Sequence, residues 1–202
     1  MILLTGFEPF GRHSENPAQE LAKAFDGQRV GPHVVRGLVL PVHREASAQV
    51  ERWLSEHDPA AVIHLGLAEG RARIGLERVA LNVMDYPLPD ASGYTAVDEP
   101  CVPDGPVAYL STLPLRALLA ALLAAGIPAY LSSSAGTYLC NQTLYHTLHT
   151  IARRGLRARA GFIHLPLSPA MVAAAGVDLP SMDLGLMRRA LEIVLGVVSG
   201  ER

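Results

Sequence analysis

Ala61 to Leu65 reads AVIHL, a short unbroken apolar run held between Asp58-Pro59 and Gly66. A strand that is apolar on both sides must be covered on both, which is the pattern of a largely parallel sheet with helices above and below it. Strand-like and helix-like segments alternate along the rest of the chain, so the class expected is α/β. At 202 residues the chain is long enough for one sizeable core, and no stretch reads as a linker between two, so one domain over 1–202 is expected.

Ile2 to Thr5 forms a first strand, closed by a turn from Gly6 to Gly11 that carries Phe7 and Phe10. Asn16 caps a helix with Pro17 at its first position and Gln19 placed for a reciprocal bond. Val34 to Val42 reads as a second strand, and Arg44 to His57 as a helix burying Ala48, Trp53 and Leu54. Beyond Gly66 the periodicity weakens until Arg78 to Val83 gives another strand. Six prolines and little periodicity make Met84 to Pro114 a long loop with room for a hairpin, where some antiparallel pairing is expected. Leu115 to Ala125 is apolar nearly all round, which predicts burial on more than one side, in the core or against another subunit. Ile127 to Ser132, Gly161 to Leu165 and a helix from about Ser181 to Val198 complete the pattern.

Composition excludes several function classes. The formal net charge is −2, with no basic stripe or aromatic platform, which argues against nucleic acid as a partner. The apolar start, MILL, lacks a basic leader and cleavage site, and the Leu115 to Ala125 tract is too short to cross a bilayer. A soluble cytoplasmic protein with no membrane partner is expected. Cys101 and Cys140 are expected to be free thiols, since a chain with half its residues apolar needs no staple.

Chemistry concentrates in Ser132 to Asn141, SSSAGTYLCN, where a small-residue turn delivers Cys140 to the start of a helix. The nucleophilic form of cysteine is the thiolate, and lowering a thiol from about 8.5 to about 6 takes roughly 3 kcal/mol. A helix N-terminus supplies about 0.3 to 1 kcal/mol, so a histidine partner is required. At 100° per residue His146 and His149 fall away from the Cys140 stripe and read as solvated surface residues. His64 and His164 remain, each near the end of an apolar strand, with His164 nearer a rim because Leu165-Pro166 follows at once. Glu69, Glu77 or Asp85 could orient the imidazole, and Glu77 could equally pair with its neighbour Arg78.

TGFEPFG with Asn16-Pro17, GLERVALN from Gly75 to Asn82, GIPAYLSSSAGTYLCN from Gly126 to Asn141 and GFIHLP from Gly161 to Pro166 together resemble pyroglutamyl peptidase I, the pyrrolidone-carboxylate peptidases. The resemblance spans almost the whole chain. It implies a single-domain α/β/α sandwich, commonly a homotetramer, that removes N-terminal pyroglutamyl residues from peptides as a cysteine peptidase without metal or organic cofactor. It assigns Cys140 as nucleophile, His164 as base and Glu77 as the acid that orients it. It also implies that Phe7, Phe10 and Tyr138 wall the lactam and that Leu67 stands at a substrate position.

The chain departs from the family pattern in three places: Leu67 where relatives commonly carry Gln, Glu69 where they carry Gly, and Pro87 where an arginine is frequent. These changes keep two alternatives open. One is a cysteine amidohydrolase for another small lactam or amide; the other is a non-catalytic ligand-binding relative.

Overall fold

The computed structural model describes residues 1–200. Among the described residues nine strands and six helices follow in the order β1 (Ile2–Phe7), α1 (Pro17–Phe25), β2 (Arg29–Val30), β3 (His33–Leu40), α2 (Ala46–Glu56), β4 (Ala61–Leu67), β5 (Ile74–Glu77), β6 (Val79–Leu81), β7 (Ala108–Leu110), α3 (Leu115–Ala124), β8 (Ala129–Ser132), α4 (Leu139–Arg154), β9 (Arg159–Leu165), α5 (Pro169–Ala175) and α6 (Leu184–Ser199). Seven strands form one mixed sheet in the order β2-β3-β1-β4-β9-β5-β8, and β6 pairs with β7 in a separate ribbon.

β3, β1, β4 and β9 run parallel, whereas β5 lies antiparallel to β9, with β8 parallel to β5. Burial follows the two-residue alternation of a strand. On one face Ile2, Leu4, Ile63, Leu65, Leu76 and Ile163 meet α1, α3 and α6; on the other Leu3, Val62 and Phe162 meet α2 and α4. The result is the expected three-layer α/β/α sandwich. Among the described residues no helix is long and apolar enough to cross a membrane.

Helix α1 starts as its sequence dictates: Asn16 accepts from the Ala18 N–H and Pro17 occupies the first turn. The reciprocal bond expected from Gln19 does not form; Asn16 instead donates through Nδ2 to the Glu8 carbonyl, fastening the helix start to the turn after β1. Helix α2 is shorter than expected and buries Ala46, Val50 and Leu54, leaving Ala48 and Trp53 half-buried, with the indole stacked on His57. Helix α3 buries only Leu118 and Leu122 within the chain, and its outer face leaves Leu123 53% exposed. One layer covers it, not two, so burial on several sides is corrected for the isolated chain. Three elements were not anticipated, β2, β5 and α5. The two strands are two and four residues long; α5 is capped by Ser168, which accepts from the Met171 N–H.

In a largely parallel sheet the turn before Cys140 is expected with the other strands' carboxyl ends, and the antiparallel direction of β5 and β8 corrects this. The turn before Cys140 does not leave the sheet at the carboxyl end of β9, because Ser132 ends β8 level with Glu77, and Glu77 is level with Phe162. Residues 133–138 carry the chain back to His164, and Gly136 at φ +83° makes the left-handed bend that such a reversal needs.

Of the two strand histidines, His64 lies fully buried, with Nδ1 2.7 Å from Thr5 Oγ1 and Nε2 3.0 Å from Thr147 Oγ1. It ties β1 and β4 to the middle of α4. Burial pushes it down to about 3, so it stays neutral where the unfolded chain's histidine, near 6.5, takes a proton. Stability is therefore full above about pH 6.5 and declines as pH falls towards 3, by at most about 5 kcal/mol from this residue. Urea unfolding at pH 7 and pH 4.5 tests it: wild type should lose midpoint steeply, and His64→Asn should show a flatter pH dependence.

Candidate active site

Cys140 sits in the first turn of α4, and the two residues after it hold that turn in place. Asn141 donates to the Leu81 and Val83 carbonyls at 2.9 and 3.0 Å and accepts from the Leu81 N–H at 2.8 Å. Gln142 donates to the Arg44 carbonyl at 3.0 Å and accepts from Tyr86. Both side chains are buried, and with all their bonds made they fix the helix start against β6 and the long loop. The polar pair after the cysteine was the available signal for this anchoring, which sequence reasoning left unassigned.

His164 occupies the last turn-facing position of β9, and its neighbours in register on both sides are glycines, Gly66 of β4 and Gly75 of β5. A Cβ at Gly66 would lie 3.0 Å from Cys140 Sγ and 2.7 Å from the Phe162 ring. The sulfur thus rests over the strand position beside His164, in space that only glycine leaves open. Nδ1 of His164 lies 2.7 Å from Glu77 Oε1. A carboxylate only accepts, so Nδ1 carries the hydrogen and Nε2 is left as the basic nitrogen of the neutral ring. Glu77 is fully buried and does not pair with Arg78, since consecutive strand residues point to opposite faces. Its partner is Arg71, whose Nη1 is 2.8 Å from Oε1. The structure thus brings Cys140, His164 and Glu77 together; among them His164 and Glu77 are hydrogen-bonded, and the sulfur faces the same cavity.

That cavity, of about 160 Å³, is lined by Phe7, Phe10, Asn16, Val42, Leu67, Ala135, Tyr138, Leu139, Cys140 and His164. All four predicted substrate contacts therefore share it with the sulfur and the imidazole. Pockets for drug-sized ligands run to roughly 300–1,000 Å³, so this one suits a single small ring. Tyr138 is steadied by a bond from its hydroxyl to the Pro89 carbonyl and by an edge-on contact with Tyr86. Leu67 lines that cavity, whereas Glu69 pairs with Arg12 and His13, which follow the turn that carries Phe10.

Electrostatics in the site follow from burial. Burial pushes the Cys140 thiol up to about 12, with Glu77 adding to the rise and Arg71 opposing it. Burial likewise lowers His164, against the upward pull of Glu77. Burial would raise Glu77, but the bonds from His164 and Arg71 outweigh it and hold the carboxyl below its ordinary range, ionised. Desolvation thus acts on both partners in the direction of their uncharged forms, a thiol beside a neutral imidazole.

The two histidines of α4 lie apart from the site. His146 and His149 are half-buried, not solvated: Nδ1 of His146 is 2.7 Å from Glu51 of α2, and Nδ1 of His149 is 2.9 Å from the Tyr109 hydroxyl. Cys101 is a free, buried thiol against the Leu81 and Val83 carbonyls, and burial pushes it too up to about 12.

With this geometry in hand, a family model for pyroglutamyl peptidase matches residues 1–201. The chain belongs to the pyroglutamyl peptidase family. The chain is 44% identical to the pyrrolidone-carboxylate peptidase of Thermococcus litoralis, over 97% of this chain and 91% of that protein. It is 43% identical to the enzyme of that name from Pyrococcus furiosus, over 96% and 97%. The solved structure of the Thermococcus litoralis pyrrolidone carboxyl peptidase superposes with a TM-score of 0.94 at 43% identity, covering 99% of this chain and 93% of the other. Membership makes the cysteine-containing cavity the natural place to look for peptidase chemistry in this pyroglutamyl peptidase family chain.

Proposed function

We propose that this chain is a cysteine exopeptidase that removes an N-terminal pyroglutamyl residue from peptides, with Cys140 as nucleophile, His164 as base and Glu77 as its orienting acid. The observation that carries the reading is the His164 to Glu77 bond of 2.7 Å at the edge of an apolar cavity that also holds the Cys140 sulfur. The Cys140 thiol gives its proton to Nε2 of His164 as sulfur attacks the carbonyl joining pyroglutamate to the next residue. The oxyanion that forms is stabilised by backbone N–H groups in the first turn of α4, which have no partner within the helix. His164 then protonates the departing amine, the C–N bond breaks, and a thioester to Cys140 remains. Water, deprotonated by the same imidazole, releases pyroglutamate and restores the thiol.

Selectivity follows from the walls. A pyroglutamyl end is a neutral lactam, so Phe7, Phe10, Leu67 and Tyr138 can enclose it without stranding a charge. A prolyl or alanyl end brings an ammonium, whose burial without a partner is strongly unfavourable. We further infer one peptidase domain over 1–202, a cytoplasmic location and a homotetrameric assembly, supported by the family resemblance. The test is a panel of anilides: the pyroglutamyl compound is expected to be hydrolysed and the prolyl and alanyl compounds left intact. Hydrolysis of a different small amide with the pyroglutamyl anilide untouched would replace this reading by a cysteine amidohydrolase of other specificity.

A further inference from the structure

Glu77 is an ionised carboxylate with no exposed surface, so its charge needs a counterpart that a neutral His164 does not supply. The guanidinium of Arg71 supplies it from the turn between β4 and β5, at 2.8 Å and on the same oxygen, Oε1, that faces His164 Nδ1 at 2.7 Å. Two donors on one oxygen fix where that oxygen sits. The sheet leaves room for this arrangement by omitting a side chain: a Cβ at Gly75 would lie 2.9 Å from Arg71 Nη1 and 3.3 Å from Glu77 Oε1. The Arg71 side chain is 30% exposed and does not line the cavity, so it has no contact with substrate there.

We propose that Arg71 is a positioning residue of this site: it holds Glu77 Oε1 against His164 and offsets the carboxylate's charge, so that the imidazole stays unprotonated and able to act as base. The proposal rests on the assignment of Cys140, His164 and Glu77 above. Without Arg71, the lone buried carboxylate would favour imidazolium, and Nε2 would no longer be free to accept the thiol's proton. The charged and titratable groups facing the carboxylate and imidazole are Arg71 from the β4–β5 turn and Cys140 from α4. Tyr130 of β8 lies beside them, its hydroxyl 3.5 Å from the Cβ position at Gly75, and its ring centre is 4.6 Å from the Arg73 guanidinium and 5.9 Å from that of Arg71. Arg71 acts downward on Glu77, His164 and Cys140 alike, which is the sign the geometry requires.

The experiment compares wild type, Arg71→Met, Arg71→Lys and Gly75→Ala by the pH profile of kcat/KM on a pyroglutamyl anilide, with KM, kcat and the unfolding midpoint measured separately. Arg71→Met should cut kcat at pH 7 by about tenfold or more, leave KM within about twofold, and move the acidic limb up by about one pH unit. Arg71→Lys, which keeps the charge, should return the limb to within a few tenths of a unit of wild type. Gly75→Ala, which crowds the guanidinium off the carboxylate, should shift the limb in the same direction as Arg71→Met. A folded Arg71→Met with an unmoved limb overturns the proposal, as does a loss confined to KM. If Arg71→Met does not fold, an unmoved limb in Gly75→Ala overturns it equally. If wild type itself leaves the anilide intact, the functional reading fails instead, and the two failures are told apart by that control.

Discussion

Replacing Cys140 by alanine is expected to lower kcat on a pyroglutamyl anilide by about 10⁴-fold or more, the scale on which removal of a nucleophile from a coupled triad is felt. The protein should remain folded. The sulfur rests over Gly66 and is not bonded to another side chain, so its loss removes packing of about 1 kcal/mol and strands no polar group. Iodoacetamide treatment should inactivate wild type in proportion to the mass added at Cys140. Cys101, only 7% exposed, should react far more slowly. Full turnover in Cys140→Ala, or inactivation that tracks Cys101, would end the mechanism described above.

Glu77→Gln is expected to lower kcat by about 10³- to 10⁴-fold with KM little changed. The amide can present an NH₂ group to Nδ1 of His164, and a ring that accepts at Nδ1 carries its hydrogen on Nε2, where it cannot take the proton of Cys140. The pH profile adds a sign. Glu77 raises His164, so its loss lets the imidazole give up its proton at lower pH, and the acidic limb of kcat/KM should move down. Arg71→Met is expected to move the same limb up. The pair of opposite shifts distinguishes a charge-balanced site from one in which both residues merely support the fold. For Glu77 itself, a depressed carboxyl contributes stability that is present above about 4.5 and lost as pH falls through its folded value. Acid unfolding of Glu77→Gln should accordingly be less steep than that of wild type.

Strand and helix segments with clear periodicity were legible in the sequence because burial on one face repeats at 2 or 3.6 residues. Ala61 to Leu65, the Asn16-Pro17 helix start and the placement of Cys140 in the first turn of a helix all emerged as expected. Ile74–Glu77 did not, since four residues bracketed by arginines give no period to count, and the direction of a strand leaves no trace in its own composition. The choice between His64 and His164 could not come from spacing, because both sit on apolar strands under the same helix. Register separates them: Gly66 is level with His164, whereas His64 lies two residues deeper, level with Phe162 and within reach of Thr5 and Thr147. Family resemblance selected His164 where residue patterns did not. Arg71 was missed because its partner lies six residues away across a turn. Arg78, the neighbour considered, was excluded in principle by strand alternation alone. Helix α3 misled because an apolar outer surface looks the same in sequence whether or not something covers it.

β9 is inserted between β4 and β5, and so joins two half-sheets that are otherwise not bonded to one another. Until residues 159–165 arrive, a growing chain holds two blocks with open edges and no site, since its base has not been made. Such a molecule closes late and over long sequence separations, which predicts slow refolding and a need for protection from edge-to-edge association while synthesis runs. The last fifth of the polypeptide is then the keystone of the sheet: truncations ahead of it should yield aggregating fragments rather than a smaller working enzyme.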